Sequence, residues 1–362
     1  MARLLDIDEV AREADSDDTD HGTVNDASHD TSTGSAHHLE KIPRNIDVKK
    51  RFEDHYRELL GENYEKFMNY STSYIRKCIR VNTLKIDVES VKRRLGDRWT
   101  LEPIPWCREG FWITFRDGKR FDIGNLIEHH LGYIYVQESA SMIPPVVLDP
   151  RPGETVLDMC AAPGSKTTQM AMYMKNKGIL IANDISGSRL KALGMNMQRC
   201  GIHNSVLTMM QETRFSRIAK EHHEFRFDKI LVDAPCSGTG TIRKSLKTII
   251  MWNPLGITKL NRIQRNLLEA AFNMLKIDGT LVYSTCTIEP EENEVVVSYL
   301  LDNYPNARLE EIDAKKFGII NTPAVLAFDD LKINPAVSKC LRIHPYDNDT
   351  EGFFVAKIRR VS

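Results

Sequence analysis

Thr155-Val156-Leu157-Asp158-Met159-Cys160-Ala161-Ala162-Pro163-Gly164-Ser165-Lys166-Thr167 reads as a short buried strand, a loop of small residues and the first turn of a helix. Small side chains let the backbone approach a ligand, and a helix N-terminus offers N–H groups that have no acceptor of their own. Two readings follow: a nucleotide-binding loop, or a tight strand–helix turn without a ligand. Ser165 stands where a Walker loop has glycine directly before its lysine, so that motif is excluded. The dinucleotide fingerprint Gly-x-Gly-x-x-Gly is absent too. The next predicted strand, 178–182, runs into Asn183-Asp184. An acidic residue about 20 positions beyond such a loop is placed to accept hydrogen bonds from ribose hydroxyls.

Outward from this unit the pattern repeats. Helices are predicted over 166–174, 186–199, 257–275 and 292–301, and strands at 206–207, 229–232 and 280–283. Alternating strands and helices make a parallel, doubly wound α/β sheet. A last strand, 352–358, is expected to add antiparallel at the sheet edge.

Two of these strands lead into cysteines. Ile230-Leu231-Val232 precedes Asp233-Ala234-Pro235-Cys236-Ser237-Gly238-Thr239-Gly240, and Thr280-Leu281-Val282 precedes Tyr283-Ser284-Thr285-Cys286-Thr287. Ligands of open α/β sheets bind at the carboxyl ends of strands, so two thiols placed there can face one substrate. Inert packing is the alternative, since free cysteine is among the most buried residue types. Cys78, Cys107, Cys160, Cys200 and Cys340 keep that packing reading for their side chains. Seven cysteines with no Cys-x-x-Cys pair argue against a disulfide framework and a zinc site, and fit a reducing cytosol. The adjacent pairs His129-His130 and His222-His223 are read as surface residues.

The first 42 residues are expected to be a disordered acidic tail. Between Asp15 and Ala36 the only aliphatic residue larger than alanine is Val24, too little to offset ordering entropy. Residues 1–40 carry a net charge of −9, which leaves +8 for the rest of a chain whose total is −1. A positive body suits a polyanion such as RNA. Residues 43–135 read as a small α+β unit with a helix over 48–63, a strand over 74–83 carrying Arg76, Lys77 and Arg80, a helix over 87–95, and Trp99, Trp106, Phe111 and Trp112 among short strands. Aromatics interleaved with basic residues suit single-stranded RNA, and core packing is the other role for those rings. Residues 136–362 form the expected catalytic domain. No apolar run approaches a membrane span, and the N-terminus is too acidic for a signal peptide.

The chain resembles the Sun/Nop family of S-adenosylmethionine-dependent RNA (cytosine-5) methyltransferases, the archaeal tRNA type above all. The likeness spans 275 residues, from Arg80-Val81-Asn82-Thr83-Leu84-Lys85 to Asp349-Thr350-Glu351-Gly352-Phe353-Phe354. It includes Val136-Gln137-Glu138-Ser139-Ala140-Ser141, the loop 160–166, Asp184, both cysteine motifs and Glu289-Pro290-Glu291-Glu292-Asn293-Glu294. It implies a class I, Rossmann-like methyltransferase sheet with a small N-terminal α+β RNA-binding subdomain. S-adenosyl-L-methionine is the implied cofactor. Cys160, Ala161, Ala162, Pro163, Gly164, Ser165 and Lys166 would wrap its methionine and sugar, Asp184 would hold the ribose with Arg189 nearby, and Asp233 would lie between cofactor and base. Gln211 fills the slot where the family has an adenine-binding Asp. The resemblance makes Cys286 the nucleophile and Cys236 the group assisting release. Carbon 5 of cytosine is a poor nucleophile until a thiolate adds at carbon 6 and turns the ring into an enamine, which is covalent catalysis. Asp233 is the candidate for balancing charge at nitrogen 3. The expected partner is tRNA, with ribosomal RNA as the alternative substrate and a non-catalytic RNA-binding or ribosome-assembly factor as the alternative class. The expected protein is a cytoplasmic monomer without metal.

Overall fold

The computed structural model describes residues 48–118, 122–222, 225–328 and 332–362, all within one compact unit. The acidic tail, residues 43–47 and His223 lie outside these. Among the described residues no helix is long and apolar enough to cross a membrane.

The N-terminal part begins with helices α1 (Lys50–Leu60) and α2 (Tyr64–Ser71). A four-stranded antiparallel sheet follows, built from β1 (Cys78–Val81), β2 (Trp99–Ile104), β3 (Cys107–Phe115) and β4 (Ile134–Val136) in the order β2-β3-β1-β4. Helix α3 (Val88–Leu95) starts where the Asp87 carboxylate accepts from the Ser90 N–H, and it buries Val91 and Leu95. The predicted aromatics are core: Trp99, Trp106, Phe111 and Trp112 are buried. Arg80 is not on an RNA-facing surface either; it is 1% exposed. Arg76 is committed to Glu102 and lies 4.2 Å over the Trp112 ring. The alternation of basic and aromatic residues along this stretch therefore reflects the two faces of a pleated sheet packed on a core.

Helix α4 (Ile143–Leu148) leads into the second sheet. Its units are β5 (Thr155–Asp158), α5 (Ser165–Tyr173), β6 (Ile179–Asn183), α6 (Gly187–Cys200), β7 (Ser205–Thr208), α7 (Glu212–Glu221) and β8 (Phe227–Asp233). After β8 come α8 (Lys247–Met251), α9 (Pro254–Met274), β9 (Leu275–Thr285), α10 (Glu294–Asn303), β10 (Ala307–Glu310), β11 (Leu341–Ile343) and β12 (Phe353–Arg360). The strand order is β10-β12-β9-β8-β5-β6-β7, with β11 also pairing β12. Strands β5 to β9 are mutually parallel. The chain reverses direction of travel at β5, so the crevice at its carboxyl end is the topological switch point where ligands bind.

One expectation changes. The last strand is antiparallel to β9, as predicted, but it is not at the edge: β10 and β11 pair along its other side. The run Phe353-Phe354-Val355-Ala356 is buried throughout, which an edge position would leave half exposed.

Candidate active site

At the end of β5, Asp158 enters the loop and Gly164 closes it with φ +110°, a value that favours glycine. A Cβ there would also meet Leu193 Cδ1 at 2.9 Å. Asp184, at the end of β6, is buried and accepts from the Ala162 N–H at 3.3 Å and the Ser186 N–H at 3.0 Å. Arg189 reaches Asp184 at 3.3 Å and donates to the Ala162 carbonyl at 2.7 Å. The loop, Asp184 and Arg189 thus form one cluster. Sequence reading missed Asn183, which ties three strand ends together. Its Nδ2 donates to the carbonyls of Met159 (3.1 Å) and Met210 (2.9 Å), and its Oδ1 accepts from the Met210 N–H (2.8 Å). Gln211 follows as the exposed residue before α7, with no side-chain bond to that helix.

Asp158 is buried beneath the loop. Its Oδ2 accepts from Thr167 Oγ1 at 2.8 Å and its Oδ1 has no partner. Burial pushes this carboxyl up to about 7. Burial, and then the carboxylates of Asp158, Asp184 and Asp233, push the Cys160 thiol well above its usual range, so it stays protonated. An orphaned carboxylate oxygen with two further carboxylates around a small-residue loop suits a ligand carrying positive charge. S-adenosylmethionine fits, with its sulfonium and its ammonium. Among the described residues no group of three His, Cys, Asp or Glu side chains could hold a metal ion.

The second half of the site lies at the ends of β8 and β9. Both oxygens of Asp233 accept: one from Lys166 Nζ at 2.7 Å, the other from Ser284 Oγ at 2.7 Å. Lys166 is the last residue of the loop motif, so this ion pair joins the cofactor side to the cysteine side. Burial by itself would lower the Lys166 ammonium, but Asp233 more than offsets it and the group sits above its usual value. Cys286 is among the nearby groups that raise it further.

Cys236 Sγ and Cys286 Sγ are 3.4 Å apart, close enough for one thiol to donate to the other. Their loops are locked together. Thr287 Oγ1 lies 2.8 Å from both Ser237 Oγ and Thr239 Oγ1. The Gly240 N–H donates to the Cys286 carbonyl (3.0 Å), and the Gly352 N–H to the Gly240 carbonyl (2.9 Å). A Cβ on Gly240 would lie 2.3 Å from the Gly352 oxygen and 2.7 Å from the Cys286 oxygen, so three backbones meet there. The hydrogen bond with Cys286, then burial, push the Cys236 thiol well above its usual range.

Residues after Cys286 brace this arrangement. The buried Glu292 carboxylate accepts from the Ser237 N–H at 3.0 Å and Gln264 Nε2 at 2.8 Å, and burial pushes it up to about 7. Asn293 Nδ2 donates to the Thr287 carbonyl at 3.0 Å, while its Oδ1 accepts from Thr285 Oγ1 at 2.5 Å. Glu289 accepts from Trp252 Nε1 (3.0 Å) and from Tyr56, and pairs with His55 Nε2 (2.8 Å). The only hint of these roles in the sequence was the acidic run at 289–294.

A model of the 16S rRNA methyltransferase RsmB/F family matches residues 145–359, and a model of the N-terminal domain of 16S rRNA methyltransferase RsmF matches residues 48–139. The chain is 44% identical over 316 residues to the tRNA (cytosine(49)-C(5))-methyltransferase of Pyrococcus abyssi, covering 86% of this chain and 96% of that one. It is 41% identical over 309 residues to the ribosomal RNA small subunit methyltransferase F of Photobacterium profundum, covering 84% of this chain but only 62% of the relative. Among solved structures, a methyltransferase homolog protein from Pyrococcus horikoshii superposes with a TM-score of 0.75 at 37% identity, covering 86% of this chain and 95% of the other. NSun6 from Pyrococcus horikoshii, solved with SFG, superposes with a TM-score of 0.74 at 26% identity, covering 87% of this chain and 98% of the other.

Proposed function

The chain belongs to the RsmB/F (Sun/Nop) family of S-adenosylmethionine-dependent RNA cytosine-5 methyltransferases, and from that premise we propose that its substrate is tRNA and that Cys286 is the nucleophile. The observation that carries the nucleophile assignment is the 3.4 Å contact between the two sulfurs, of which Cys236 is the one held as a thiol. Cys236, its proton retained, is placed to donate to Cys286 Sγ. Lys166 adds positive charge on the same side.

The cofactor supplies an electrophilic methyl group. The protein does the rest. Cys286 Sγ forms a bond to carbon 6 of cytosine, and the electron pair displaced in the ring gathers toward nitrogen 3. Asp233, the candidate for balancing that charge, is paired with the Lys166 ammonium, which gives it a proton donor to share in that task. Carbon 5, now enamine-like, takes the methyl group as the methyl–sulfur bond breaks and a neutral thioether leaves. A base then removes the hydrogen from carbon 5, the carbon 6–sulfur bond breaks, and Cys286 leaves as thiolate. Cys236 is the group placed to assist that release. The loop 160–166, with Asp184 and Arg189, would hold the cofactor, and Gln211 would take its adenine side. The base must leave any stack to enter, which favours unpaired or junction nucleotides.

The tRNA reading is supported by the match along 96% of the Pyrococcus abyssi tRNA enzyme, against 62% of the ribosomal one. The family description favours ribosomal RNA as the second reading. Free thiols fit action in the cytoplasm. Bisulfite sequencing of total RNA from cells with and without this gene tests the substrate. Loss of 5-methylcytosine from a tRNA is the expected result. Loss from small-subunit ribosomal RNA instead would establish the second reading, and no loss in either would overturn both.

A further inference from the structure

Two motifs that the chemistry leaves unused, Arg80-Val81-Asn82-Thr83 and Val136-Gln137-Glu138-Ser139, meet under the cofactor loop. Arg80 projects from β1 into the start of α5. Its Nη1 donates to the Ser165 carbonyl at 2.7 Å, to Gln137 Oε1 and, at 3.4 Å, to Gln169 Oε1. Its Nη2 donates to Thr168 Oγ1 at 2.8 Å, its carbon Cζ lies 5.3 Å from the Tyr135 ring centroid, and its Nε has no partner. Every acceptor is neutral, and among the described residues Arg80 forms no ion pair. A guanidinium stays charged in proteins, and burying one without a counterion is costly. Burial accordingly pulls this group down from its ordinary value.

We propose that Arg80 is a positioning residue for the cofactor: its unneutralised charge, relayed through Ser165 and the first turn of α5, favours the carboxylate of the methionine moiety at the loop. This rests on the cofactor reading above. The site is polarised accordingly. Asp158, Asp184 and Asp233 face the loop with negative charge that suits the sulfonium and ammonium. Lys166 and Arg189 are paired with Asp233 and Asp184, whereas Arg80 and the N-terminus of α5 supply positive charge that no carboxylate pairs with among the described residues, and the carboxylate is the only anionic group the cofactor owns. The same contact makes cofactor affinity depend on the N-terminal sheet, since Arg80 belongs to β1.

The test is calorimetric binding of S-adenosylhomocysteine and of 5′-methylthioadenosine, which lacks the amino-acid end, to the full chain and to Arg80→Met and Arg80→Lys. A charge removed from within about 10 Å of its partner, in an effective dielectric near 20, changes binding by roughly tenfold or more. Arg80→Met should therefore lose roughly tenfold or more for S-adenosylhomocysteine while keeping its methylthioadenosine affinity within about threefold. Arg80→Lys keeps the charge and should keep most of both affinities. Equal loss of both ligands, or loss of neither, overturns the proposal. If Arg80→Met does not fold, Arg80→Lys decides: losing S-adenosylhomocysteine as an unfavourable fork replacement would, despite the retained charge, overturn the electrostatic account. Failure of the unaltered chain to bind S-adenosylhomocysteine would strike the cofactor reading instead.

Discussion

Cys236 and Cys286 follow strands of the same kind, in loops of the same composition, yet their surroundings differ. The Cys236 loop is held by a buried carboxylate: Glu292 accepts from the Ser237 N–H, next to the thiol, and its charge adds to the forces that keep the Cys236 proton on. The Cys286 loop is held by neutral partners, Thr285 and Thr287 on Asn293, and Lys166 is near its sulfur. Thiolate chemistry depends on nearby charge more than on the residue's own strand and turn. With the roles proposed above, two near copies of one local setting would take opposite tasks from groups that are distant in sequence.

The comparison breaks most visibly at the nucleophile. Cys286→Ala should lower methyl transfer by about 10⁴-fold or more, because the covalent route is removed outright. Tritium transfer from labelled cofactor to a tRNA transcript measures it, and full turnover by this variant would dismiss the assignment. Cys236→Ala should keep bond formation and slow release by about 10²–10³-fold. A protein–RNA adduct should then collect and run as a retarded band on a denaturing gel. An adduct that disappears only when Cys236 is replaced would exchange the two roles.

A smaller effect is expected from the ion pair that joins the two halves of the site. Lys166→Met and Asp233→Asn should each cost roughly 10²-fold in kcat, and the double variant little more than either, since the two groups act as a unit. Costs that simply multiply would show that they act separately. The smallest effect concerns the brace behind Cys236. The folded-state value of Glu292, about 7, lies above its usual 4.5, so the folded protein binds more protons. That stability is present at acid pH and is lost as pH rises from about 4.5 through about 7. Asp158, also at about 7, and Glu351, at about 8, have the same sign. Glu292→Gln should flatten the fall in melting temperature between about pH 5 and 8 by the equivalent of roughly 1–3 kcal/mol. An unchanged slope would mean that Glu292 is ionised throughout.

The parallel core was legible because its central strands carry short apolar runs, the buried Val156-Leu157, Ile230-Leu231-Val232 and Leu281-Val282-Tyr283, separated by helices of ordinary length. The cysteines, the loop and Asp184 were legible because they lie directly at strand ends. What stayed hidden is long-range. Nothing near Lys166 announces Asp233, 67 residues away. Arg80 sits among basic residues on a strand and so reads as surface; its burial is set by Gln137 and α5, which no local pattern encodes. The place of β12 was missed for a similar reason. Its outer neighbours, β10 and β11, are four and three residues long, too short to declare themselves as strands.

That strand has a consequence in time. Phe353–Arg360 is made by the ribosome after every strand it joins, and Gly352 at its head completes the three-backbone knot around Gly240 and Cys286. Until those residues have been translated, β9 lacks a neighbour and the Cys286 loop lacks its frame. The frame of that loop therefore depends on the strand made after all those it joins.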